Sequence, residues 1–183
     1  MLFQEFQPFH SMRLRNRFVR GGAWLHYCDE VATLIHRAKY VERPLLASFL
    51  GQQAATEWLG SGFFDGVDVL VPVPLHVRRF RERGYNQSEY ICRGMSAVLG
   101  LPIDTTTLLR TIYTDKQALL TDAERRENVK DAFAVTQPER WHKKHVLLVD
   151  DVITTGSTIS QCIKEITPIR TCRISVFSIA TAR

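Results

Sequence analysis

Apolar residues recur at helical spacing in the first third of this chain and gather into short unbroken runs later. From Asp29, the positions Val31, Leu34, Ile35 and Ala38 mark one face of a helix, and Leu45, Leu46, Phe49 and Leu50 begin a second that runs towards Trp58. The glycines of "SGFFDG" break that pattern. "VDVLVPVPL" (67–75) then reads as a buried strand ended by prolines. After "RERGYNQ", the residues Ile91, Met95, Val98 and Leu99 define a third helical face, closed by Gly100 and Pro102. Short strands are expected near 108–113 and 132–135, on either side of a long polar connection. "HVLLVD" is the next strand, 157–166 a helix, and 172–180 the last strand. The first twenty or so residues mix aromatic and basic types without a period and are read as an arm on the domain.

Strands alternating with helices predict a doubly wound, mainly parallel α/β sheet flanked by helices. With 183 residues, 45% of them hydrophobic and 23% charged, the chain suits one compact unit. Within it, residues 1–60 are expected to form the arm and a small helical cap or hood, and 61–183 the sheet-bearing core. A formal net charge of +5 favours anionic partners, without separating phosphorylated metabolites from nucleic acid. The four cysteines (Cys28, Cys92, Cys162, Cys172) include no C-x-x-C pair, so no zinc site or disulfide framework is expected, and a reducing cytoplasm fits. No apolar stretch approaches the ~20 residues of a membrane helix, and none resembles an export signal, so membrane insertion is not expected.

The chemistry concentrates in "HVLLVDDVITTGSTISQC" (145–162). Ligands of open parallel sheets bind beyond the carboxyl ends of the strands, and Asp150 and Asp151 fall there. Thr154, Thr155, Gly156, Ser157 and Thr158 lead into a helix start, where free amides, the macrodipole and hydroxyl donors favour an anion such as a phosphate monoester. Carboxylates beside such a cradle repel a phosphate, so they must address another part of the ligand. Sugar hydroxyls or a hydrated Mg²⁺ suit them, and a 5-phosphorylated ribose offers both a hydroxyl edge and a charged end. The alternative is a capped turn with no ligand. There is no G-x-x-x-x-G-K-[ST] and no G-x-G-x-x-G, which excludes a P-loop and a dinucleotide fingerprint.

"VLLVDDVITTGST" (146–158) closely resembles the phosphoribosyl-pyrophosphate (PRPP) signature of type I phosphoribosyltransferases. "VPVPLHVRRFRERGYNQS" (71–88), "KQALLTDAERRENVKDAF" (116–133) and "LIHRAKY" (34–40) resemble the ComF (GntX-like) competence-protein branch of that family. The resemblance implies that Asp150 and Asp151 serve the ribose hydroxyls, directly or around Mg²⁺, and that residues 154–158 take the 5-phosphate. It also implies that a loop, 74–87, meets pyrophosphate and that 114–128 matches the mobile loop of catalytic members. That branch commonly carries a cysteine-rich, zinc-finger-like segment, which this sequence does not contain.

Arg78, Arg79, Arg81 and Arg83 fall where pyrophosphate is expected. Arg78 and Arg83 are the preferred candidates, while at least two of the four are read as a solvated basic face. Asn86 and Gln87 either bond phosphate or cap the next helix. Lys116, Arg125 and Arg126 are candidates to fold over phosphate, and Thr121 with Glu124 reads equally as a capping box. His36, His76, His142 and His145 show no ligand spacing. The expected activity is Mg²⁺-dependent transfer of a phosphoribosyl group from PRPP to a nitrogen nucleophile. The alternative is a non-catalytic ComF-type role in DNA uptake, in which single-stranded DNA meets Arg13, Arg15, Arg17 and Arg20 with Phe9, Phe18 or Tyr85 stacking on bases. Competence-machinery proteins are further candidate partners, and a homodimer is compatible with the sequence.

Overall fold

A computed structural model describes residues 4–5, 18–40, 44–111 and 132–182. Strands β1 (Gln4–Glu5), β2 (Phe18–His26), β3 (Val69–Pro72), β6 (His145–Ile153) and β7 (Arg173–Thr181) form a sheet in the order β1-β2-β7-β6-β3. The β2–β7, β7–β6 and β6–β3 pairs are parallel, and β1 is an antiparallel edge. Beside it, β4 (Leu108–Arg110) and β5 (Phe133–Val135) form a small antiparallel pair. The helices are α1 (Asp29–Tyr40), α2 (Pro44–Trp58), α3 (Val77–Arg83), α4 (Gln87–Leu99) and α5 (Ser157–Ile166). This is the expected doubly wound, mainly parallel α/β architecture.

The run "HVLLV" lacks polar alternation because both faces of β6 are covered. Val146 and Leu148 face a cluster built with Ile159, Ile163 and Ile166 of α5. Leu147 and Val149 face the opposite cluster, with Ala47, Leu50 and Ala54 of α2 and Ile91 and Met95 of α4. The two N-terminal helices therefore share a core with the central strands.

Three sequence expectations change. Phe18–His26 is a sheet strand rather than part of an arm, and its apolar period was hidden by Gly21 and Gly22. A Cβ on Gly22 would lie 2.8 Å from ring atoms of Trp58 and Phe63, so a glycine here lets the strand pass under an aromatic cluster. Arg20 is not a free basic group either, because its guanidinium donates to the Gly62 and Asp65 carbonyls. Finally, residues 77–83 are helical, with His76 Nδ1 accepting from the Arg78 amide and Gly84 closing the turn at φ 78°. Such a solvent-facing helix has no apolar period to reveal it.

Asp104 ties the β4–β5 unit to the sheet. Its carboxylate accepts from the amides and hydroxyls of Thr106 and Thr107 and from Trp141 Nε1 at 3.0 Å. Burial pushes this carboxyl up, but the Thr107 hydroxyl and the two amides outweigh it and hold it at about 2. His145 is buried, with its ring nitrogens against the Gly66 carbonyl and Ser175 Oγ, a packing role as expected.

Candidate functional site

Because β3 and β6 are parallel and in register at Pro72 and Val149, their C-terminal ends open onto the same edge of the sheet. From β3 come residues 73–76, α3 and the start of α4. From β6 come Asp150, Asp151 and the loop into α5. Asp150 and residues 152–159 line one shallow, open depression. The acidic strand end and the hydroxyl loop thus share a wall. Gly156 caps α5 at φ 77°, in the left-handed region, and its neighbours Thr154, Thr155 and Ser157 are exposed. The first amides of α5 open towards this loop. Thr155 Oγ1 donates to Ser157 Oγ at 3.2 Å and accepts from the Ser157 amide at 3.4 Å, which holds the loop in a cradle-like turn.

Asp150 and Asp151 are not equivalent. Asp150 Oδ1 accepts from the Ser88 hydroxyl at 3.1 Å and from the Asp151 amide at 2.9 Å. Burial, reinforced by the charge of Asp151, pushes the Asp150 carboxyl well above the ordinary 3.8, while the Asp151 amide, Lys39 and Ser88 pull it part of the way back. Asp151 is 7% exposed. Its Oδ1 accepts from the Val152 amide at 2.8 Å and its Oδ2 meets Lys39 Nζ of α1 at 2.7 Å. Ser88 and Lys39 are site residues that sequence reasoning did not single out. A hydroxyl in the first turn after "GYNQ" and the lone lysine in "LIHRAKY" were the available signals.

The candidates after β3 are more engaged than the sequence suggested. Asn86 Oδ1 accepts from the Ser88 amide, capping α4, and Nδ2 donates to the Val73 carbonyl. Gln87 is buried and its Oε1 accepts from Arg83 at 3.0 Å. Arg78 and Arg79 pair with Glu82 at 3.5 and 3.4 Å on the exposed surface of α3. Such exposed pairs contribute little and open readily to a stronger anion. Tyr85 is buried, with its hydroxyl donating to the Ala38 carbonyl, so it is not available for stacking. Phe80, 46% exposed among the α3 arginines, is the aromatic that α3 offers instead. Lys116, Arg125 and Arg126, like Phe9, Arg13, Arg15 and Arg17, lie outside the described residues.

Among the described residues, no group of three or more His, Cys, Asp or Glu side chains comes together to hold a metal. Of the acidic pair, Asp150 fits a hydrated Mg²⁺, which keeps several waters and can take a single carboxylate together with phosphate oxygens, whereas Asp151 is engaged by Lys39 and the Val152 amide. No helix among the described residues is long and apolar enough to cross a membrane.

Fold and site together define a doubly wound α/β protein with an acidic pair and an amide-and-hydroxyl cradle at the end of one central strand. No family model matches the chain. It is 36% identical over 138 residues to the DNA utilization protein YhgH of Escherichia coli strain K12, a match covering 74% of this chain and 60% of that relative. It is 31% identical over 162 residues to Competence protein F of Haemophilus influenzae, covering 86% of this chain and 70% of that one. The chain belongs to the competence protein F (ComF) family. Among solved structures, the glutamine PRPP amidotransferase of B. subtilis superposes with a TM-score of 0.49 at 18% identity, over 73% of this chain and 26% of that one. A Trypanosoma cruzi hypoxanthine phosphoribosyl transferase gives 0.42 at 14%, over 76% and 73%.

Proposed function

We propose that this protein binds PRPP and transfers its 5-phosphoribosyl group to a nitrogen nucleophile, releasing pyrophosphate. One observation carries the reading: Asp150 and the 154–158 hydroxyl loop line a single depression, so hydrogen-bond acceptors for a sugar edge adjoin donors for a phosphate. In this reading the α5 amides with Thr154, Thr155, Ser157 and Thr158 hold the 5-phosphate. Asp150 accepts from the ribose hydroxyls, positioned by Ser88. Arg78 and Arg83 exchange their local partners for pyrophosphate oxygens, offsetting the charge that builds as the bond from the sugar to pyrophosphate breaks. Lys116, Arg125 and Arg126, outside the described residues, add positive charge for the phosphate groups in this reading. No covalent protein nucleophile is needed, and burial pushes the Cys92 and Cys162 thiols up, away from nucleophilic use. Bound Mg²⁺ would supply charge neutralisation to the polyphosphate, with Asp150 as the carboxylate facing it, since Asp151 is engaged by Lys39 and the Val152 amide. The four free thiols suit a reducing cytoplasm. Calorimetric titration with PRPP is expected to show one saturable site, competed by ribose 5-phosphate and not by ribose. Failure of phosphorylated sugars to compete rules the reading out.

A second reading is favoured by Phe80, exposed on a helix that carries four arginines and buries none of its seven residues. A stacking ring among guanidinium groups suits single-stranded DNA, and the relatives' names concern DNA utilization and competence. In this reading the protein acts in DNA uptake without catalysing transfer, and competence-machinery proteins are its further partners. Binding of a single-stranded oligonucleotide is expected to weaken steeply with salt and to drop about tenfold in Phe80→Ala. An oligonucleotide affinity unchanged by Phe80→Ala removes α3 from that role.

A further inference from the structure

The two carboxylates of the acidic pair are neighbours in sequence with different surroundings. Side chains alternate along a strand. Asp150 lines the depression beside the hydroxyl loop, whereas Asp151 is almost enclosed and has both oxygens engaged. Its Oδ1 accepts from the Val152 amide, and its Oδ2 lies 2.7 Å from Lys39 Nζ. Lys39 belongs to α1, whose Ile35 and Ala38 are buried in the same cluster as Leu147 and Val149 of β6, so the ammonium is delivered by a packed element. The side chains of the pair are 24% and 9% exposed, far less than those of the ion pairs on α3. Shielded in this way, the attraction is weakened less by water and salt.

Adjacent carboxylates need a positive charge nearby if a phosphorylated sugar is to approach them. A divalent cation is one source. This chain provides another from within itself, and it occupies the Asp151 oxygen that faces away from the strand backbone. We propose that Lys39 is the resident counter-cation of the acidic pair, closing Asp151 to metal so that the site binds a 5-phosphorylated pentose with little dependence on divalent cation. The inference rests on the sugar-phosphate reading of the depression and makes Lys39 a positioning residue for it. Asp150 alone then meets the sugar hydroxyls, and any Mg²⁺ that arrives does so on the polyphosphate of the ligand. Without the ammonium, Asp151 opens and the pair gains the negative charge that recruits a hydrated divalent cation.

The test compares wild type, Lys39→Gln and Lys39→Arg as full chains, with ribose 5-phosphate as the probe because it carries no pyrophosphate to chelate metal. Calorimetric affinities are measured in EDTA and in Mg²⁺. Wild type and Lys39→Arg are expected to change less than about threefold between the two conditions, and Lys39→Gln to lose about tenfold or more in EDTA and recover in Mg²⁺. In melts with Mg²⁺ alone, Lys39→Gln is expected to be stabilised and wild type not. Equal metal dependence in wild type and Lys39→Gln overturns the proposal. Should Lys39→Gln fail to fold, Lys39→Arg decides, since strong metal dependence in a folded, charge-conserving variant is equally fatal. If ribose 5-phosphate binds no variant in either condition, the sugar-phosphate reading falls, and the Mg²⁺ melts alone decide whether Lys39 closes Asp151.

Discussion

Asp150→Asn is expected to bind PRPP about a hundredfold more weakly than wild type at pH 8 while melting about 2–6 °C higher. The affinity loss follows from the Asp150 carboxylate, which in the proposed site accepts from the ribose hydroxyls. Hydrogen bonds to a charged acceptor contribute about 1.5–3 kcal/mol each, so weakening two of them reaches that factor. The gain in stability comes from the same side chain. Burial and the charge of Asp151 push its carboxyl above the ordinary value of 3.8, which means the folded protein holds that proton more tightly than the unfolded chain. Stability therefore falls as pH rises from about 4 towards the raised value, and beyond it the ionised group is a standing penalty. Asparagine keeps the oxygen that accepts from Ser88 and the Asp151 amide and removes the charge, which is worth about 1–2 kcal/mol. The difference in melting temperature should shrink at pH 4, where the wild-type carboxyl is protonated in the folded state and about half protonated in the unfolded chain. Calorimetry and melts at the two pH values check both halves. An Asp150→Asn variant that is less stable at pH 8 and binds PRPP unchanged would mean that Asp150 is a structural cap. A residue kept against stability is the signature of a site.

How much of this was legible in the sequence depends on whether the relevant pattern is local. The strand end at Asp150, the hydroxyl tract and the start of α5 lie within one short stretch, so their order made the fold of that corner legible and suggested the chemistry proposed for it. The helical periods behind α1, α2 and α4 were equally plain, because each buries one face. What stayed hidden was decided at long range. Gly21 and Gly22 look like a breaker until Trp58 and Phe63 are seen lying over the strand. Lys39 and Ser88 are ordinary helix residues until α1 and α4 bring them to β6 from positions 112 and 62 residues away. Asn86 and Gln87 could be ligand groups or local partners on sequence alone, and their hydrogen bonds to Val73, Ser88 and Arg83 are tertiary facts. The asymmetry of the acidic pair belongs to the same class, since two aspartates side by side carry no mark of which one a distant lysine will hold.

Gly94→Ala is expected to destabilise the protein by about 4 kcal/mol or more, the largest single-residue effect on folding foreseen here. In an exposed helix this substitution stabilises by about 1 kcal/mol, because alanine is the better helix former. Contact reverses the sign. Helices α2 and α4 touch through their backbones: a Cβ on Gly94 would lie 1.9 Å from the Ser48 carbonyl oxygen, and one on Gly51 2.1 Å from that of Ile91. Neither oxygen sits at the end of a flexible side chain, so a methyl group forces the helices apart and opens the layer that holds Leu50, Ala54, Met95 and Leu147. The effect reaches the site as well, because α4 carries Ser88 to Asp150. Gly100→Ala is the control. Gly100 has φ 68° and nothing within 4 Å of an added Cβ, so it incurs only left-handed strain, about 1–2 kcal/mol. Urea unfolding followed by circular dichroism separates the two variants. If Gly94→Ala costs no more than Gly100→Ala, α2 and α4 are not in backbone contact in solution, and the route by which α4 positions Ser88 against Asp150 must be redrawn.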